Sequence, residues 1–206
     1  MTRALACLVI AACSAPVTTA TPTTPTTPAP PDAAVPADAR PVLPVEVTWT
    51  LTRERDRLRI DYTVTNHGDL AIVLCDHLRD TKGPIDLAVV QPSDLPGVVA
   101  FTLAFVPPVP RVIVEKQPRP IAHPLAAKGT ASGTAYVAWP LAVYHPIYDP
   151  PLELPRDANR AVLEIGYVDA TAPLETEKLR GQTYEVPGWA ALHVQKVVRG
   201  DLRRLP

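Results

Sequence analysis

Residues 45–66 read VEVTWTLTRERDRLRIDYTVTN, and this stretch decides the fold. Val45, Val47, Trp49 and Leu51 alternate with Glu46, Thr48, Thr50 and Thr52. After the polar Arg53-Glu54-Arg55-Asp56, Leu58, Ile60, Tyr62 and Val64 alternate with Arg57, Arg59, Asp61, Thr63 and Thr65. Successive side chains of an extended strand point to opposite faces. A period of two kept over both runs therefore predicts paired strands with one buried and one wet face, and the four polar residues between them predict the turn.

Outward from this hairpin, Asn66-His67-Gly68-Asp69 predicts a second turn and the apolar run 70–74 a third strand. Further strands are expected at 98–105, 112–115, 134–139, 161–168 and 191–198. Helix signals are confined to 76–82 before Gly83 and 173–180 before Gly181, each a turn or two closed by a glycine. The 206 residues include 26 prolines against 9 glycines, a content that removes too many backbone donors for a helical bundle. The expectation is an all-β antiparallel sandwich over residues 45–206. The run LRIDYTVTNHGDLAIVL, residues 58–74, resembles the opening strands of bacterial immunoglobulin-like sandwich domains, in which an Asn-x-Gly-Asp turn joins adjacent strands. That resemblance implies a fold and carries no function with it.

The N-terminal residues differ in kind. Arg3 precedes the apolar run ALACLVIAA, residues 4–12. As a helix it would cover roughly 14 Å, where a bilayer core needs about 30 Å, so it reads as a signal segment, residues 1–12. Ile10-Ala11-Ala12-Cys13 resembles the lipobox of bacterial lipoproteins. The resemblance implies that Cys13 is diacylglyceryl-modified and becomes the mature N-terminus. Ser14 after it, rather than Asp, implies sorting to the outer membrane. Each buried acyl CH₂ contributes about 0.8 kcal/mol, so several chains on one cysteine hold a protein to a bilayer without any apolar patch on its folded part. Residues 13–44 are rich in Pro, Thr and Ala and lack aromatics, a composition that predicts an extended tether.

Candidate chemistry is sparse. With Cys13 acylated, Cys75 has no partner for a disulfide and is expected to be a buried small hydrophobe. Cys75-Asp76-His77 puts a thiol, a carboxylate and an imidazole together, which motivates a metal-binding or thiol-dependent alternative centred on Cys75 and His77. No further ligand stands at a zinc-site spacing, and His67, His123, His145 and His193 are scattered, so no metal and no cofactor is expected. Ser132, within Gly129-Thr130-Ala131-Ser132-Gly133, lacks the spacing of a nucleophile elbow and reads as a turn. Glu175 and Glu177 read as solvated carboxylates, and Arg53, Arg55, Arg57 and Arg59 as a salt-bridged wet face. Trp49 and Trp189 are expected in the core.

The richest segment is YVAWPLAVYHPIYDPPLELP, residues 136–155, where Tyr136, Trp139, Tyr144 and Tyr148 sit among prolines. Rigid aromatics on a stiffened loop suit a protein or carbohydrate partner. The formal net charge of −1 argues against nucleic acid. The expectation is thus a monomeric, non-catalytic binding module held through Cys13 to the outer membrane. A structural or assembly lipoprotein is a further alternative.

Overall fold

The computed structural model describes residues 44–80, 82–107, 118–147, 149 and 152–206. The leader, Cys13, nearly all of the tether, the strand expected at 112–115 and Tyr148 lie outside them. The described residues are all-β, with one short helix. None of their helices is long and apolar enough to cross a membrane.

Strands β1 (Val45–Glu54) and β2 (Arg57–Asn66) form the expected hairpin, pairing Val45 with Asn66 through to Glu54 with Arg57. The turn is only Arg55-Asp56, because Arg53 and Glu54 continue the ladder. β3 is Ile72–His77, β4 Val89–Pro92, β5 Val98–Leu103, β6 Ile121–Leu125 and β7 Thr130–Ala138. β8 is Arg160–Asp169, β9 Leu174–Leu179 and β10 Gln182–Pro187; helix α1 spans Trp189–His193, followed by β11 (Lys196–Arg199) and β12 (Arg203–Arg204).

One sheet has the order β1-β2-β7; a larger one runs β4-β5-β8-β3-β6, with β11 and β12 also on β8; β9 and β10 form a separate hairpin. The first two sheets share a sandwich-like core. Trp49 of the small sheet meets Phe101 of the large one edge to face, with ring centroids 6.4 Å apart. The Trp49 indole N–H donates to the Asp201 carbonyl at 2.8 Å, so its polar end is satisfied. β8 is buried at every position from Ala161 to Val168, as befits a strand covered on both faces. Its second face meets a smaller cluster of Val73, Cys75, Phe105, Val168, Ala191 and Leu192.

Several expectations are corrected. The sheet is not purely antiparallel, since β5 runs parallel to β8. Residues 76–82 are not a helix: β3 continues to His77, and an Arg79–Pro84 bridge follows. Residues 173–180 are not a helix but hold strand β9 (Leu174–Leu179), because Arg180 (φ 49°) and Gly181 (φ 81°) make a two-residue hairpin turn. Positive φ at both central positions is the backbone that follows the twist of paired strands, and a glycine serves it as readily as it ends a helix. Residues 191–198 are split between α1 and β11. Residues 129–133 are mostly strand β7, so Ser132 is a strand residue. Trp189 is 41% exposed, while Trp49 is core as expected.

Candidate functional site

The aromatic segment divides on folding. Tyr136 lies on β7 with the Arg57 guanidinium 4.0 Å above its ring, and Trp139 lies under Arg53 at 4.9 Å. The Trp139 backbone N–H donates to the Asp56 carbonyl at 2.8 Å, fastening the end of β7 to the first hairpin's turn. Tyr144 exchanges backbone hydrogen bonds of 2.9 Å with Val90 and packs half-buried on the core. Tyr136 and Trp139 therefore lie near the same end of the small sheet, Tyr136 on its outward face and Trp139 partly packed on the core, whereas Tyr144 serves packing. Beside Trp139 lies a cleft of about 410 Å³ whose apolar lining includes Leu141, Leu154, Pro155 and Leu205.

The outward face of the small sheet is more regular. Cross-strand register sets residues in rows: Glu46–Thr65–Thr130, Thr48–Thr63–Ser132, Thr50–Asp61–Thr134 and Thr52–Arg59–Tyr136. A depression of about 530 Å³ lies over the middle rows, lined by Thr48, Thr50, Asp61, Thr63, Ser132 and Thr134, with Arg203 also lining it. The Thr63 and Ser132 hydroxyls are 2.9 Å apart. Thr134 donates to Asp61 at 2.7 Å and Arg59 Nε donates to it at 3.0 Å. These donors, Thr134 first, hold the Asp61 carboxyl below its ordinary range. The sequence marked these residues as wet but could not show that β7 adds a third hydroxyl-bearing strand.

At the edge of the large sheet, a second constellation arises from an irregularity. β3 pairs Leu74 with His123 but His77 with Ile121, so it advances three residues where β6 advances two. Such a bulge resets the alternation of one strand and re-aims its side chains. Asp76, His77 and His123 come together, one donor atom from each lying within 4.8 Å of the others. Pro124 is accommodated because β6 is an edge strand.

Asp76 is 4% exposed, and a buried carboxylate needs partners. Its Oδ2 accepts from the Tyr62 phenol at 2.8 Å, and its Oδ1 accepts from His123 Nδ1 at 3.2 Å. With the hydrogen on Nδ1, His123 keeps its lone pair on Nε2. His77 is exposed, and its ring stacks on His123 with centroids 4.7 Å apart and planes 20° off parallel. Burial, reinforced by the Asp76 charge, drives the Tyr62 phenol well above its ordinary value, so it remains a donor. Tyr62 takes this pose because its cross-strand neighbour is Gly133, where a Cβ would collide with the phenol oxygen.

Cys75 does not join this group. It is fully buried in the apolar cluster under α1, and burial, then the Asp76 charge, pushes its thiol up to about 12. It is neither a thiolate ligand nor a nucleophile near neutral pH. Glu177 corrects another expectation, because it is drawn in by two buried arginines, whereas Glu175 stays exposed, as expected, though it too meets Arg119. Arg119 donates to both carboxylates at 2.7 Å, and Arg79 pairs with Glu177 and donates to the Arg119 carbonyl at 2.6 Å. The alternating arginines behave as expected at Arg57, paired with Glu54 at 2.8 Å, and at Arg59, paired with Asp61.

Compared with protein-family models, curated proteins and solved structures, the chain matches none of them.

Proposed function

We propose that this chain is a lipid-anchored cell-envelope protein whose β domain is a non-catalytic module for a polyhydroxylated ligand, a carbohydrate of the envelope. The observation that carries the reading is the open face of the β1-β2-β7 sheet. There, Thr48, Thr50, Thr63, Ser132 and Thr134 surround a shallow depression with Asp61 and Arg203 at hand. Hydroxyls both donate and accept, and a carboxylate and a guanidinium add charged partners, which is the complement a sugar's hydroxyls require. Tyr136, in the next row, adds an aromatic edge. Asp61 is tied to Thr134 and Arg59, which suits it to accepting hydrogen bonds rather than to moving protons.

Lipid attachment rests on Ile10-Ala11-Ala12-Cys13, and outer-membrane placement on Ser14. The immunoglobulin-like reading rests on the two packed sheets and the opening hairpin; the parallel β5–β8 pair departs from that pattern.

The test combines Thr63→Val with Ser132→Ala in the full chain. Sedimentation with insoluble envelope polysaccharide should capture the parent chain. The double variant should bind about tenfold more weakly, the cost of losing a pair of ordinary hydrogen bonds, with folding stability within about 0.5 kcal/mol. Equal capture of parent and variant, or no capture, would overturn the ligand assignment. Palmitate labelling that persists in Cys13→Ala would overturn the anchor.

A further inference from the structure

We infer that His77 and His123 form a binding site for a divalent transition metal of the imidazole-preferring class, Zn²⁺, Ni²⁺ or Cu²⁺, with Asp76 as the positioning carboxylate. The site is distinct from the hydroxyl face and independent of any carbohydrate. Neutral imidazole is the commonest protein ligand for these ions. Two imidazoles meet here because the bulge in β3 turns His77 onto the side of His123.

The arrangement has the second layer that metal-binding histidines use. Asp76 accepts from His123 Nδ1, which fixes the tautomer and directs Nε2 away from the carboxylate. Asp76 is itself held by the Tyr62 phenol, behind which the core closes. The carboxylate, with its side chain 1% exposed, cannot swing to another partner. Its negative charge lies where a bound cation would offset the cost of keeping it from water. His77 is exposed at the last position of β3, so an ion has an entry path and its remaining positions are open to water. Donors about 2.0–2.2 Å from a common ion lie at most about 4.4 Å from one another. The His77 and His123 rings stack with centroids 4.7 Å apart, so a rotation of the exposed His77 ring can bring one of its nitrogens within that span of His123 Nε2.

The experiment titrates Zn²⁺, and separately Co²⁺ as a spectroscopic substitute, into the full chain without an affinity tag. One equivalent should bind saturably. The Co²⁺ form should absorb in the visible without a near-ultraviolet thiolate-to-metal band, because Cys75 is sealed off. His77→Ala, an exposed change that leaves the core intact, and His123→Ala should each abolish saturable binding. Asp76→Asn should weaken it ten- to a hundredfold, the usual effect of losing the carboxylate behind a metal-bound histidine. Absence of saturable binding, binding that survives His77→Ala, or a thiolate band would overturn the proposal. A purely structural histidine stack would give no stoichiometric Co²⁺ spectrum.

Discussion

The β1-β2-β7 sheet and the edge formed by β3, β6 and the β9-β10 hairpin are stabilised in opposite ways. In the sheet, every inward position of β2 from Leu58 to Val64 is buried, three of them aliphatic and the fourth Tyr62, and charge stays on the wet side. At the edge, Asp76, Arg79 and Arg119 are buried and satisfied by partners far away in sequence. The first arrangement is non-directional and tolerant; the second depends on particular pairs. Regular strands keep their polar groups on an open face, whereas the irregular edge gathers charged groups inside.

The comparison is tested most strongly by Phe101→Ala, which removes the fully buried ring facing Trp49. Chemical denaturation should show a loss of about 3–5 kcal/mol, as for other buried aromatics. A loss below about 1 kcal/mol would mean that the small sheet is not anchored through this contact.

Glu177→Gln tests the edge. It leaves Arg79 and Arg119, with side chains 3% and 6% exposed, short of their shared counter-charge. We expect a destabilisation of about 3 kcal/mol, readable by urea unfolding and partly relieved by adding Arg79→Met. A neutral result would place the hairpin's attachment in apolar contacts instead.

The smallest effect concerns pH. Burial, partly offset by a hydrogen bond with the Val106 backbone, pushes the His145 imidazole down to about 4. Unfolded, it titrates near 6.5, so the unfolded chain binds the extra proton first. Stability should therefore fall as pH drops through the window from about 6.5 to about 4. Midpoint denaturant concentrations across that window should flatten in His145→Gln. An unchanged slope would assign the pH response to other groups.

This contrast also explains what could be read from the chain. The first hairpin is legible because alternation over two long runs admits one reading; only Arg53 and Glu54, polar enough to suggest the turn, continue the first strand instead. Leu174-Glu175-Thr176-Glu177-Lys178-Leu179 carries no apolar face to mark it as a strand. Gly181 gives one signal for two structures, since a glycine with positive φ ends a helix and makes a hairpin turn alike. The His77–His123 meeting was illegible because a bulge breaks the parity on which strand reading depends, and because partners 46 positions apart are joined only by the pairing of β3 with β6. Trp189 was misplaced because an aromatic's size predicts burial, while here it lies on a short helix with the Arg119 guanidinium 5.4 Å from its ring. The candidate aromatics were half legible: Tyr136 and Trp139 do share one end of the sheet, but Tyr144 is spent on packing.

Gly133 has a reach beyond its own strand. It lies between two hydroxyl-bearing residues of the open face, and its bare α-carbon is what allows the Tyr62 phenol to reach Asp76. A methyl group there would act as a wedge, displacing the outer rows and the carboxylate's anchor in one stroke. The two surfaces thus share a single pivot, and neither could be remodelled through that position without disturbing the other.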